Sequence, residues 1–309
     1  MKIVFIGSGD IGIPVLEWLA SAPGVDLAGV VTQPDRPAGR GLQLTPCAIK
    51  EKALSAGLTV LQPSRIRSPE ARGEIASLRP DLLVVMAYGQ ILPQELLDLP
   101  KFGALNLHAS LLPRHRGAAP VHAALLAGDR ESGITVMWMD AGLDTGDILL
   151  QRACALETTD TAGTLHDRLA ELGPAALAEA LDLIRAGRAP HLKQEEILAT
   201  YSPKLDRSSG KIDWTTSAAD IARRIRGLHP WPGCTAEFEL AAGKRLTVKI
   251  HRAEAFEGTA PAGAMVGPLD IGCGGGGVLR ILELQPAGGK KLVAADFARG
   301  YSLVRAVVE

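Results

Sequence analysis

Short apolar runs bounded by turn residues alternate, along the first half of the chain, with longer stretches in which apolar positions recur every three or four residues. The short runs are Lys2–Gly7, Leu27–Thr32, Asp81–Met86, Ala104–His108 and Gly133–Trp138, and this pattern predicts strands. The longer stretches, Pro14–Ala22, Pro46–Ala56, Pro69–Leu78 and Ala119–Leu126, predict helices, and Thr161–Ala186 predicts one long alanine- and leucine-rich helix. Strands alternating with helices imply an α/β domain with a doubly wound, mostly parallel sheet. Ligands of such sheets bind beyond the carboxyl ends of the strands.

Periodicity fades over QEEILATYSPKLDR, so residues 191–206 are expected as a linker between a domain at 1–190 and a second at 207–309. In the second, Ala218–Leu228 reads as a helix. Thr235–Leu240, Arg245–His251, Gly263–Val266, Val278–Leu284 and Lys291–Ala294 read as short strands, which predicts a small β-rich domain. The run Gly272–Gly277 lacks a following Lys-Ser/Thr, so it is expected as a flexible hairpin tip and not a phosphate-binding loop. The prolines of HPWPG predict a rigid turn, with Trp231 packed at the domain junction.

Composition changes this picture little: 47% hydrophobic and 22% charged residues describe an ordinary globular chain. No apolar run approaches the roughly 20 residues of a membrane helix. The opening MKIVFIG enters a strand pattern directly, and Cys47, Cys154, Cys234 and Cys273 are scattered without a CxxC pair; together these predict a cytoplasmic protein without disulfides or zinc. Charge is uneven. Residues 207–309 carry 14 Lys and Arg against 10 Asp and Glu, whereas the rest carries 19 against 24. A mildly basic tail is compatible with a phosphate-bearing partner and equally with ordinary surface charge. Nothing demands a dimer, and a monomer is expected.

The candidate chemistry concentrates between Asn106 and Asp147. Asn106 and His108 lie two apart at a strand end, so both side chains project to one face. Asp144 lies in the glycine-bounded loop GLDTGD after the next apolar strand. A neutral donor, an imidazole and a carboxylate together suit acyl transfer, in which a tetrahedral oxyanion must be stabilised and a proton removed. Each residue alone has a blander reading, as a cap, a turn or an Asx-turn. Asp140, Asp144 and Asp147 supply too few alternating oxygens for a calcium loop. His115 and His122 are expected as surface or supporting residues. Gly7-Ser8-Gly9-Asp10-Ile11-Gly12 spells GxGxxG, but neither Asp26 nor Asp35 closes the second strand as a ribose-binding acid would, so the glycines are expected to serve packing and not NAD.

Asn106-x-His108, SLLPRHRGAAP and DAGLDTGD, with QPDRPAGRG and HPWPG, resemble the 10-formyltetrahydrofolate-dependent formyltransferases over essentially the whole chain. The resemblance implies a Rossmann-like formyltransferase domain followed by an OB-like barrel, with 10-formyltetrahydrofolate as formyl donor and no metal. It implies Asn106, His108 and Asp144 as catalytic residues. Ser110, Leu111, Leu112 and Pro113 are implied to meet the donor, as are Met86, Tyr88, Gly89 and Ile91 in VMAYGQILP. The proline- and glycine-rich insertion Gln33–Pro46 is similar to the loop of those members that formylate initiator methionyl-tRNA, which implies that tRNA as partner and Arg36 and Arg40 as contacts. Leu42-Gln43 stand where such members often carry lysines, and SGDI replaces their usual Thr-Pro pair. Arg223, Arg224, Lys244 and Lys249 are the expected backbone-tracking cations of the second domain. Three other readings stay open: formylation of a small amine such as a nucleotide-linked aminosugar, a dehydrogenase built on the GxGxxG, and a non-catalytic RNA-binding protein.

Overall fold

The computed structural model describes residues 1–38, 41–241 and 243–308. They form two compact units: Met1–Pro120, Glu131–Ala155 and His166–Pro203 in the first, Val121–Arg130, Leu156–Leu165 and Lys204–Glu309 in the second.

The first unit is built on seven strands: β1 (Lys2–Gly7), β2 (Asp26–Val31), β3 (Val60–Leu61), β4 (Leu82–Met86), β5 (Ala104–His108), β6 (Glu131–Trp138) and β7 (Ile148–Ala155). Their order is β7-β6-β5-β4-β1-β2-β3. The pairings from β5 through β3 are parallel, whereas β6 and β7 add antiparallel strands at one edge. β1 and β4 are buried almost throughout (Ile3, Val4, Phe5 and Ile6; Leu82, Leu83 and Val84), as expected of strands covered on both faces. The covering helices include α1 (Ile13–Ser21), α2 (Ala48–Ser55), α3 (Pro69–Ser77) and the long helix Ala162–Arg185. β7 escaped the sequence pattern because it is an edge strand whose middle, Gln151–Ala153, is exposed. The insertion after β2, expected as loop throughout, carries a small hairpin pairing Arg36–Ala38 with Gln43–Thr45.

The GxGxxG turn is a packing device. A Cβ on Gly7 would lie 2.7 Å from the Met86 carbonyl oxygen, and one on Gly9 2.8 Å from the Ala87 Cβ. The turn itself donates the Ser8 and Gly9 amides to the Ala87 carbonyl, so it is tied to the segment after β4.

The second unit has strands β8 (Cys234–Leu240), β9 (Arg245–Phe256), β10 (Asp270–Gly272), β11 (Val278–Pro286), β12 (Leu292–Val293) and β13 (Leu303–Ala306). The path β10-β11-β9-β8-β13 is antiparallel throughout, with β12 beside β11. Gly263–Val266, expected as a strand, makes only single bridges, Ala264 to Arg305 and Met265 to Ile271. Those bridges join the two ends of the path into a nearly closed barrel, which removes open edges. Its core holds Trp214, Phe238, Val248, Ile250, Ile281 and Phe297, with the helix Ala218–Gly227 laying Ile221 and Ile225 upon it. The segment Val121–Arg130 joins this unit because Leu126 packs on the same core, so close to Gly227 that a Cβ there would lie 3.0 Å from Leu126 Cδ2.

The glycine run forms the expected hairpin tip, joining β10 to β11 with Gly272 opposite Val278; a Cβ on Gly274 would lie 1.7 Å from the Thr215 carbonyl oxygen, and Gly275, Gly276 and Gly277 all have positive φ. One expectation changes here. Trp231 is not buried by packing; it is 52% exposed.

Candidate active site

Strand β5 lies between β4 and β6, and Asn106 pairs in register with Val85 on one side and Met137 on the other. Pleating sends the Asn106 and His108 side chains to one face at the carboxyl end of the strand. Asp144 reaches them from the β6–β7 connection. The glycines of that loop are required by contact: a Cβ on Gly146 would lie 1.7 Å from the Trp138 carbonyl oxygen, and one on Gly142 2.0 Å from Thr145 Oγ1. Asp140 makes the local turn, accepting from the Gly142 amide at 3.0 Å and from Thr145 Oγ1. Asp147 pairs with Lys193 at 2.9 Å. Asp144 is therefore the loop's one acid turned toward β5, and its backbone sits at φ +53°, a conformation unfavourable for a side-chain-bearing residue.

Asn106 Nδ2 donates to Asp144 Oδ1 at 3.3 Å, and His108 Nδ1 lies 3.6 Å from Asp144 Oδ2. The Gly117 amide donates to the same Oδ2 at 2.8 Å. His108 Nε2 donates to the His115 carbonyl at 2.9 Å. The His108 and Asp144 side chains are only 6% and 13% exposed, so these contacts operate away from bulk water. The three residues singled out from sequence are thus brought together, with two backbone partners that spacing did not signal. His115 is not at the surface: it is 6% exposed, with its carbonyl against the site. Gln194 is a further residue that sequence reasoning missed; its Nε2 donates to the carbonyls of Asp144 and Gly146 at 2.9 and 2.8 Å. A glutamine in a polar stretch carries no signal of that kind.

Ser110–Pro113 continue directly from β5 and are immobilised. Ser110 Oγ donates to the Arg114 carbonyl, Thr135 Oγ1 accepts from the Leu112 amide at 3.1 Å and donates to the Ser110 carbonyl, and Gln151 donates to the Leu112 carbonyl at 2.8 Å. Met86 closes β4, the neighbouring parallel strand, so Tyr88, Gly89 and Ile91 follow from an adjacent carboxyl end. Met86 and Tyr88 are buried, whereas Ile91 is 52% exposed. Gly89 has φ +80°, and a Cβ there would lie 2.8 Å from Gln33 Nε2, which donates to the Tyr88 carbonyl. Burial pushes the Tyr88 phenol up to about 12, and its hydroxyl has no hydrogen-bond partner among the described residues.

The expected tRNA contacts fare unevenly. Arg36 is exposed on the hairpin and donates to Gln33; Arg40 lies outside the described residues. In the second unit Lys244 is exposed, but Arg223 pairs with Asp220, Arg224 donates to the Ser209 carbonyl, and Lys249 donates to the Pro230 carbonyl at 3.1 Å. Arg224 and Lys249 thus tie segments of their own domain as well as presenting charge, whereas Arg223 pairs within its own helix. Among the described residues no group of three or more His, Cys, Asp or Glu has the geometry to hold a metal ion.

A doubly wound sheet presenting an amide, an imidazole and a carboxylate at one strand end is an arrangement suited to group transfer. The chain belongs to the formyl transferase family: residues 1–181 match formyl transferase and 204–302 match formyl transferase, C-terminal domain. It is 44% identical to the methionyl-tRNA formyltransferase of Geotalea uraniireducens, over 98% of this chain and 96% of that one. It is 46% identical to the same enzyme of Akkermansia muciniphila, over 97% of each. Among solved structures it resembles an N-formyltransferase from Helicobacter canadensis in complex with folinic acid and dTDP-3-aminofucose, at 17% identity, 91% and 99% coverage and a TM-score of 0.64. It also resembles a methionyl-tRNA formyltransferase from Clostridium thermocellum, at 16% identity, 82% and 93% coverage and a TM-score of 0.58. Those last two likenesses concern the fold.

Proposed function

We propose that this protein transfers the formyl group of 10-formyltetrahydrofolate to the α-amine of initiator methionyl-tRNA. The observation that carries the reading is one carboxylate, Asp144, placed against the Asn106 amide, the His108 imidazole and the Gly117 N–H, in a chain more than 40% identical end to end to methionyl-tRNA formyltransferases. Sugar formyltransferases share the fold at 17–22% identity, which leaves an aminosugar acceptor without a specific observation in its favour.

In this mechanism the neutral amine attacks the formyl carbon, forming the new C–N bond and a tetrahedral centre bearing an oxyanion. Asn106 has a second N–H beyond the one given to Asp144, and that donor meets the oxyanion. His108 Nε2–H, shared with the His115 carbonyl in the ground state, turns part of its hydrogen bonding to the same oxygen. One such donor is worth about 10²–10³ in rate. Asp144, oriented by Gly117, takes the proton the amine must lose. The oxyanion's electron pair then re-forms the carbonyl as the carbon–N10 bond breaks, N10 takes the proton held by Asp144, and tetrahydrofolate leaves. No covalent enzyme intermediate is required.

The donor would lie along Ser110, Leu111, Leu112 and Pro113, and against Met86, Tyr88, Gly89 and Ile91. A pterin is a flat ring with amide-like edges, and rigid backbone between apolar side chains suits it. The insertion Gln33–Pro46, whose sequence carries Arg36 and Arg40, and the barrel with Arg223, Arg224, Lys244 and Lys249, would meet tRNA phosphates and sugars. The protein would act as a cytoplasmic monomer.

A formylation assay with 10-formyltetrahydrofolate and charged initiator or elongator methionyl-tRNA tests the reading. Transfer to the initiator alone supports it. A bound donor with no transfer to either tRNA would move the acceptor to a small amine.

A further inference from the structure

The segment His191–Ser202 reads in sequence as a polar connector, yet three of its side chains, Gln194, Thr200 and Ser202, are bonded to the backbone of Asp144, Gly146, His115 and Arg116. Gln194 uses its whole amide. Nε2 donates to the Asp144 and Gly146 carbonyls, at 2.9 and 2.8 Å, and Oε1 accepts from Arg116 Nε and Nη2, at 3.1 and 3.0 Å. A neutral amide has two donors and two acceptor lone pairs, and here all four are occupied. Its orientation is forced, because the carbonyls can only accept and the guanidinium can only donate. Arg116 is 1% exposed, and its Nη1 is held by Glu196 at 2.9 Å, so Gln194 rests on an anchored group.

The same segment continues along the HRG stretch. Thr200 Oγ1 accepts from the His115 amide at 2.8 Å, the Thr200 carbonyl accepts from the Arg116 amide at 2.9 Å, and Tyr201–Ser202 pair with Arg116–Gly117. His115 supplies the carbonyl bonded to His108, and Gly117 supplies the amide bonded to Asp144. One strap therefore fixes both backbone partners of the catalytic side chains.

Asp144 is the member that most needs fixing. At φ +53° Asp144 is in left-handed backbone, which aspartate tolerates better than most side-chain-bearing residues but which persists only where the surroundings over-determine it. Gln194 grips the carbonyl of Asp144 and, two residues on, that of Gly146. We infer that Gln194 is a positioning residue of the transfer reaction, acting through Asp144: it holds the loop backbone so that the carboxylate faces Asn106, His108 and Gly117. This rests on Asp144 having the role proposed above.

Gln194→Met removes both donors at similar volume, and Gln194→Glu additionally sets a carboxylate against two carbonyls. A displacement of about 1 Å at a reacting group can cost about 10²-fold in rate. The expected result for Gln194→Met is therefore a fall in kcat of about that size, with KM for donor and tRNA within about threefold of wild type and Gln194→Glu slower still. In an Asp144→Asn background the further loss should be under about twofold, because the group being positioned is already disabled. An unchanged kcat, or the full loss repeated in that background, overturns the proposal. Amide hydrogen exchange of Gly117 reads the same point without any acceptor. Exchange faster by about tenfold in Gln194→Met, with Ile6 and Val84 unchanged, supports it even if wild type were to leave methionyl-tRNA untouched; unchanged Gly117 exchange overturns it. Should the Gln194 variants not fold, Glu196→Gln at a 72% exposed position loosens Arg116 alone. A several-fold fall in kcat is then expected, and wild-type kcat overturns the clamp.

Discussion

At the residue scale the proposed site rests on hydrogen-bond accounting. Asn106 shares its amide between Asp144 and, in the proposed mechanism, the oxyanion, so Asn106→Ala is expected to lower kcat by about 10²–10³ while the donor still binds. Asp144→Ala should show a loss at least as large, because it removes the proton acceptor and leaves the Gly117 amide and the Asn106 donor unpaired. Single-turnover rates at saturating donor check both, and near-wild-type turnover in either would refute the oxyanion scheme. A second titratable contact lies in the glycine-rich turn. His166 Nε2 meets Asp10 at 3.1 Å, and that bond, with Asp167 adding to it, raises the imidazole from 6.5 to about 9. A raised value means that the stabilisation is fully present below about pH 6.5 and lost as pH climbs through about 9. Asp10 is correspondingly lowered, so its share is lost only in acid. Because the pair is half exposed and screened, its worth is about 1 kcal/mol or less. Denaturant melts of wild type and His166→Asn should differ by that amount near pH 6 and converge near pH 10.

At the element scale the strand ends do the positioning. The carboxyl ends of β4 and β5 lie side by side, and from them leave the two segments assigned to the formyl donor. The connection after β6 returns Asp144 to the same edge. The hairpin inserted after β2 is a separate device, and Arg40, which belongs to the same insertion in sequence but lies outside the described residues, is expected to act on the acceptor alone. Arg40→Ala should therefore cut tRNA formylation by about tenfold or more while hydrolysis of the formyl donor is unchanged. Equal losses in the two assays would remove the hairpin from acceptor recognition. Some elements were plain in the sequence, β1 and β5 to the residue and the six helices expected to within one or two, whereas the short helices Gln94–Leu97 and Ala294–Gly300 were missed. β3, β7, β10 and β13 were not: β3 and β10 span only two and three residues, and β7 and β13 each expose their middle positions, which breaks the apolar pattern. Gly263–Val266 was over-read: its pattern suits a strand, but it serves as two single bridges closing the barrel.

For the whole molecule, each unit has its own apolar core, and the second is the simpler to probe. Phe238 is fully buried and meets Trp214 edge-on at 6.0 Å between ring centres. Phe238→Ala should destabilise that unit by about 3–5 kcal/mol, seen as an earlier Trp214 fluorescence transition in urea. A loss under about 1 kcal/mol would mean the barrel core had refilled the cavity. Taken by itself, the chain determined what depends on neighbours along it: strand and helix periods, the shared face of Asn106 and His108, and the glycines that let GLDTGD turn tightly. Its long motifs also carried the family likeness. Only the tertiary structure decided which groups from distant segments meet. It placed the His115 carbonyl on His108, the Gly117 amide on Asp144 and the Gln194 amide across the Asp144–Gly146 backbone. It also sent Leu126 to the barrel core and turned Arg224 and Lys249 onto their own domain's carbonyls. Backbone partners leave no trace in residue identity, because every residue but proline offers the same N–H and C=O, and only folding selects which of them face a side chain.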